Sequence, residues 1–388
     1  MSGRVWSGDA TQTAIDLRLG SADFCGIKVS RSDSLQTCLS DERGWLATFE
    51  LHEDVRSDAL DTVAALHREG IAVHLLSGDS AQAAARVAAQ VSITEFQGDC
   101  SPQHKLDFYK TVTVYIGISA GNNSMVMANA RQEAVVAYAK LTRPLVDQRV
   151  KHTRWCVTRY PTHASAQEAR MSLDEYEDYL FSACCIDWKA ESKKQEKLKK
   201  LIDRTKKVRI SAPDTDLRFS IDGLPGIKCD GRLNMPDGEV FTAPVKNSVQ
   251  GHICYNCPSI YQGKEYNGVR FEFADGKIIK ATADGGMSKA LNKILDADEG
   301  ARYIGEFAIG VNPGIRQPMR NILFDEKIFG SIHFTPGQAY DECDNGNRSS
   351  VHWDLVRILA DGEIWFDDVL IQKNGRFVHK ELLELNPS

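Results

Sequence analysis

GVRFEFADGKIIKATADG, residues 268–285, reads as two strands joined at Asp275-Gly276. Phe271 and Phe273 fall on one face and Arg270 and Glu272 on the other, the period of two that a half-buried strand requires. An Asp-Gly pair suits a tight turn that needs positive φ. The pattern recurs in VRISA at 208–212, LRFSIDG at 217–223 and EIWFDDVLIQKNG at 363–375. From residue 208 to 388 the chain therefore reads as a strand-rich, mainly antiparallel domain, interrupted by one helix near 288–297.

Upstream the pattern changes. Residues 45–51 and 71–76 read as strands, 57–69 and 80–91 as helices, and 93–96 as a short strand. This alternation implies a parallel-sheet fragment. Residues 112–118 and 154–160 are two further strands, with a helical stretch at 129–141 that stops shortly before Pro144. Ser172 and Glu175 have capping-box spacing, and Tyr176, Tyr179, Leu180 and Ala183 share the face behind them. Residues 189–207 are strongly charged, yet Leu198, Leu201 and Ile202 form a thin apolar stripe, which favours a solvated helix joining domains over a nucleic-acid contact. The expected fold is α+β, an N-terminal α/β parallel-sheet region followed by the antiparallel domain. Its divisions are 1–110, 111–207 and 208–388.

Composition narrows the function. A formal charge of −6 argues against a general nucleic-acid binder. No run approaches the roughly 18 apolar residues of a membrane span, and MSGRVWSGDATQ carries no secretory pattern, so a cytoplasmic protein is expected. The ten cysteines are scattered. Only Cys254 and Cys257 have ligand-like spacing, and no second close pair exists apart from Cys184–Cys185, so reduced, buried thiols are expected.

The chemistry gathers late in the chain. Glu239 lies in PDGEVFTAP, Glu306 in IGEFAIG, His333 and Tyr340 in IHFTPGQAY, and His352 and Asp354 in SVHWD. On a strand His352 and Asp354 project from one face, so an imidazole and a carboxylate aim at one spot. Alone, that pair fits a buried histidine bonded to a nearby aspartate equally well. The company of Glu239, Glu306 and His333 completes a donor set for a pair of divalent metal ions, because buried glutamates are costly without a cationic partner.

Residues 111–388 resemble the aminopeptidase T family of dinuclear metallopeptidases. The likeness runs through RWCVTRYPTHASAQEARMSLDEYEDY, NMPDGEVFTAPV, DEGARYIGEFAIGVNPGI, RNILFDEKI, GSIHFTPGQAY and SVHWDLV. The resemblance implies release of N-terminal residues from peptides by a water activated between two divalent ions (Zn, Co or Mn). Glu239, Glu306, His333, His352 and Asp354 would be ligands. Glu306 would also shuttle the proton, and Tyr340 would sit beside the metals. It further implies peptide substrates with a free N-terminus and a homodimer. Phe329 stands before Gly330 where the family usually has Gly-Gly.

Residues 10–108 resemble the phosphorylation domain of heavy-metal P-type ATPases, through GWLATFELHEDVRSDA, GIAVHLLSGDS and GDCSPQHKLDF. In such a domain the Ser77-Gly78-Asp79 turn and Lys105 would touch a phosphoryl group. The phosphorylated DKTGT motif, the GDGxND motif and membrane helices are absent, so no acyl-phosphate chemistry is expected. The alternative reading is a fusion of an ATPase fragment with an aminopeptidase that keeps the ligands but is catalytically impaired.

Overall fold

The computed structural model describes residues 2–5, 15–20, 22–28, 35–51, 55, 57–77, 79–123, 130 and 132–387. It divides into two compact units, residues 1–113 with 144–152, and residues 114–143 with 153–388.

In the first unit, Gly44–Leu51 is a strand as expected, but its sheet is antiparallel, in the order Ser2–Val5, Ile15–Gly20, Leu35–Asp41, Gly44–Leu51. The reason is local. Asp41 Oδ1 accepts the Arg43 amide at 2.7 Å and Gly44 takes a φ of +121°, closing a tight hairpin that the reading from residue 45 onward missed. The parallel pair is His74–Leu76 with Glu95–Gln97, accompanied by the helices Ala59–Arg68 and Ala81–Gln90. Ser80 caps the second helix by accepting the Ala83 amide. Ser77 Oγ donates to Asp79 at 2.7 Å, while Gly78 between them lies outside the described residues. Lys105 lies on the helix Pro102–Tyr109.

In the second unit, Val114–Ser119 and Arg154–Arg159 pair in parallel, and Asn234–Met235 extends that sheet. The helix expected to stop before Pro144 does not. It runs Gln132–His152 with Pro144 inside, because a proline removes one helical hydrogen bond without by itself setting the helix end. The capping box at Ser172 and Glu175 is present, and Tyr176, Leu180 and Ala183 are buried behind it. The charged helix Trp188–Arg204 buries Leu198, Leu201 and Ile202, and Glu191 and Gln195 with them, so its stripe is a packed face rather than a solvated one.

Apart from the small hairpin of Ser259–Tyr261 with Lys264–Tyr266, two antiparallel sheets hold the remaining strands among the described residues. One has eight strands and contains Arg270–Ala274 and Lys277–Thr282 at one edge. Phe271 and Phe273 enter the main core, where Phe273 meets Phe334 at 5.9 Å between ring centroids. The other has five strands, ordered Ile227–Cys229, Glu239–Thr242, Ile304–Gly310, Ser331–Pro336, Val356–Ile358.

The two faces of this five-stranded sheet differ sharply. Val240, Phe307, Ile309, Ile332 and Phe334 point into the core; each such side chain contributes about 1.5–3 kcal/mol by leaving water. On the other face the register sets Glu239 opposite Gly310, Ala308 opposite His333, and Glu306 opposite Thr335. Residues paired across neighbouring strands share a face, so these groups converge. The register shifts between Ile304 and Glu306, and this bulge at Gly305 aims Glu306.

His352 is brought to the same face by a single bridge to Gly337, whose φ is +108°. A Cβ at Gly337 would collide with the Val351 carbonyl. Gly337→Ala is therefore expected to destabilise the fold by about 2 kcal/mol or more and to weaken divalent-cation binding by displacing His352. Thermal unfolding with and without added cation checks this; an unchanged cation-induced shift would show that the bridge does not position the histidine.

Candidate metal centre

The five-stranded sheet contributes Glu239, Glu306 and His333, all buried. His333 Nε2 lies 3.2 Å from Glu306 Oε1, and His333 Nδ1 lies 3.6 Å from Glu239 Oε2. From the chain after Gly337, His352 Nε2 lies 3.4 Å from Glu306 Oε2 and 3.3 Å from Asp354 Oδ1. Asp354 Oδ1 also accepts the Thr335 hydroxyl at 2.8 Å. Between the two, Trp353 points the opposite way into the core, where it stacks on Tyr261 at 4.5 Å and donates to Ser259. The alternation expected of the His-Trp-Asp unit is present.

Each imidazole is oriented by a backbone carbonyl. His333 Nδ1 is 3.2 Å from the Glu326 carbonyl, and His352 Nδ1 is 2.9 Å from the Gln338 carbonyl. Such bonds assign the proton to Nδ1 and turn Nε2 toward the carboxylates. Tyr340 packs its ring on His352 at 4.8 Å and on Phe241 at 5.5 Å, though 45% of the residue is exposed. All six residues singled out in the sequence thus lie in one neighbourhood.

Two neighbours were missed. Glu326 and Lys327 follow the short helix Ile322–Asp325 and reach the polar face because Gly310 leaves room: a Cβ there would collide with the Ile328 carbonyl. Lys327 is fully buried, pairs with Glu326, and lies 3.8 Å from Glu239 Oε1. The signal was available in Asp325-Glu326-Lys327, three charges set between Ile-Leu-Phe and Ile-Phe. Charges in such apolar company are paired or bound when they fold inward.

The electrostatics follow from burial. Desolvation pushes Glu239 and Glu326 up, opposed by Lys327 in both. Burial also raises Glu306 and Asp354, but the imidazoles outweigh it: His333 acts first on Glu306 and His352 first on Asp354, and both end below the usual carboxylate range. Desolvation disfavours the His333 cation, yet Glu239 and Glu306 lift it to about 10. Tyr340 is raised well above its ordinary value by desolvation and the nearby carboxylates, so its phenol keeps its proton at neutral pH.

Among the described residues, two groups of donor atoms are close enough to share an ion: Glu306, His333 and Asp354, and Cys229, Asp237 and Glu239. In the second, Asp237 Oδ1 and Glu239 Oε2 are buried without a hydrogen-bond partner, and so is His352 Nε2 at the edge of the first. Orphaned buried acceptors beside ionised carboxylates are what a divalent cation would satisfy.

The thermophilic metalloprotease (M29) family matches residues 61–377, starting fifty residues before the boundary expected at 111. Aminopeptidase PepS of Streptococcus thermophilus is 27% identical over 238 residues, covering 52% of this chain and 56% of that protein. Nitrogen fixation protein FixI of Rhizobium meliloti is 31% identical over 124 residues, covering 31% of this chain and 16% of that protein. The solved structure of wild-type AmpT from Thermus thermophilus superposes with a TM-score of 0.63 at 21% identity, over 83% of this chain and 99% of that one, so the fold is of that kind. The chain spans about half the length of the curated aminopeptidases it matches. The metalloprotease match takes in residues 61–108 of the segment that resembles an ATPase domain, and it lends no support to an ATPase there.

The shifted carboxyls give a pH signature. Burial is the leading cause that lifts Asp237 to about 6 and Asp325 to about 7, whereas unfolded carboxyls titrate near about 4. Between those values the folded chain holds protons that the unfolded chain has lost, so stability falls as pH rises. His333, raised above its unfolded value, adds the same sign at higher pH. Asp354 and Glu306, held low, lose their stabilising charge only in acid. With chelator present, the unfolding midpoint should fall from about pH 5 to about pH 8, and saturating divalent cation should lessen the trend through the ligand groups it deprotonates, leaving the contribution of Asp325, whose oxygens accept the Met319 and Asn321 amides. Scanning calorimetry checks this; a chelated midpoint that climbs with pH would overturn the charge assignment.

Proposed function

We propose, on the premise that this chain belongs to the thermophilic metalloprotease (M29) family, that it is an aminopeptidase releasing N-terminal residues from peptides with two divalent cations. Glu239, Glu306, His333, His352 and Asp354 would hold them, joined by Glu326. The observation that carries this reading is the convergence of four carboxylates and two imidazoles, both turned by backbone carbonyls, on one buried sheet face. Lys327 and the two imidazoles, which the carboxylates favour in protonated form, balance these acids, and metal would take over the imidazoles' share of that charge. The mixed oxygen and nitrogen donors suit zinc, cobalt or manganese without choosing among them.

When bound, such ions supply an activated water and polarise the scissile carbonyl. The chain's own groups do the rest. Glu306 lies between the two imidazoles, ionised and buried, where it can take a proton and return it to the leaving amine. Tyr340, protonated and set against His352, can donate a hydrogen bond to the developing oxyanion. Peptides with a free N-terminus are the substrates, and a cytoplasmic homodimer is the expected form. No helix among the described residues is long and apolar enough to cross a membrane.

A second reading has one observation in its favour. The family match begins at residue 61, which favours a chain that joins a foreign segment before that point to an aminopeptidase that keeps its ligands without turnover.

Elemental analysis together with cleavage of a short peptide separates the two. About two ions per chain with turnover supports the enzyme; bound metal without turnover supports the impaired fusion. Tyr340→Phe should retain the metal and KM and lower kcat by about 100-fold. Glu306→Gln should abolish turnover with the fold intact by circular dichroism, and residual activity near wild type would remove Glu306 from the proton transfer.

A further inference from the structure

Arg320 lies six residues before Glu326, in a turn that the core holds rigidly. Asp325 accepts the Met319 amide at 2.6 Å and the Asn321 amide at 3.1 Å, pinning the backbone on both sides of Arg320. Arg320 itself takes a φ of +54°, a conformation that non-glycine residues adopt only when their surroundings impose it. The side chain is only 13% exposed. Of its five N–H donors, one bonds the Glu168 carbonyl at 3.2 Å. Glu265 stands 3.8 Å from Nε, too far for a hydrogen bond, and already accepts Asn267 at 3.0 Å.

Arg320 also lines two cavities. A small cavity of about 10 Å³ has Arg320 and Asp354 in the same wall, together with Ile260. A larger one of about 350 Å³ also has Arg320 and Ile260 in its wall, with Arg170, Glu168 and Glu265 around it. Arg320 thus lines both the small cavity that reaches Asp354 and a larger one with room for part of a peptide. A planar fork of donors, mostly withdrawn from water, matches a carboxylate.

We propose that Arg320 recognises the free α-carboxylate of short peptide substrates, one or two residues beyond the scissile bond. The inference rests on the aminopeptidase reading above and names the substrate end that the same site would recognise. An extended residue spans about 3.3–3.6 Å, so an arginine sharing a cavity wall with Asp354 is within reach of the carboxylate of a dipeptide or tripeptide, and longer chains would carry theirs past it. Glu168 and Glu265 border the same space and oppose an anion that is not held by the guanidinium, which makes the contact selective for position.

The test compares Leu-Gly-Gly with its C-terminal amide, using the full chain. Hydrolysis is followed with metal loaded, and equilibrium binding is measured separately by calorimetry with chelator. The free acid should be favoured at least about tenfold in kcat/KM and in affinity. Arg320→Met should bring the acid to the level of the amide while leaving cleavage of leucine p-nitroanilide, which has no carboxylate, unchanged. Should Arg320→Met unfold, Arg320→Lys keeps a charge without the fork and should retain only part of the preference.

Hydrolysis with equal rates for acid and amide overturns the role of Arg320 and leaves the aminopeptidase standing. A binding preference without hydrolysis does the reverse. A preference that survives Arg320→Met assigns the carboxylate to another cation and overturns the proposal, and failure to bind or cleave either peptide removes both readings.

Discussion

Several carboxylates share one buried face of a β-sheet, and the rest of the antiparallel region is arranged around that fact. Glu239, Glu306 and Asp354 converge through strand register and a bridge, and Glu326 arrives on the segment that Gly310 admits. Burying an unpaired carboxylate costs several kcal/mol. The fold tolerates four because the opposite face is apolar and packed, with Phe307 and Phe334 against Phe219 at 4.9 and 5.1 Å. That packing fixes the register, and a slip of one residue would turn every acid into the core. Stability is gained on one face of the sheet and strain is held on the other.

The chain's own cations hold that strain. Lys327 serves Glu239 and Glu326, while the two histidines serve Glu306 and Asp354. The site thus divides into a lysine half and an imidazole half, which adjoin through the approach of His333 to Glu239. Asp237 and Cys229, beside Glu239, extend the lysine half, and burial holds both in their protonated direction. A cation entering the imidazole half competes with protons on histidine. One entering the lysine half must contend with an ammonium that is already there.

The antiparallel domain was legible because each strand has one wet and one dry face, as in Arg270-Phe271-Glu272-Phe273. The residues of the candidate centre were legible because glycines and turns flank them: Gly238 before Glu239, Gly305 before Glu306, and Pro336-Gly337 after His333. Glu326 and Lys327 were not, because their approach depends on Gly310, distant in sequence and silent about what it admits. The upstream region was least legible. Val114, Ile116 and Ile118 announce a strand, yet they stand 51%, 68% and 64% exposed in a parallel sheet, an arrangement that usually buries both faces. An apolar run reports that a strand forms and is silent about which face is covered.

The same limit explains the error at Pro144. A local signal ends a helix only if nothing else extends it, and here the chain continues helically for eight residues past the proline to His152. By contrast, the signals at Ser172 and Asp275-Gly276 held, because capping and turn formation are completed within a few residues and need no distant partner. The candidate centre combines both kinds of determinant. Its strands are local, and its assembly is not, since Glu306, Glu326, His333 and His352 meet only through a bulge, a glycine opening and a bridge. A sequence can therefore name the candidate residues one motif at a time, while a charge that balances them, here Lys327, emerges only when those three backbone devices act together.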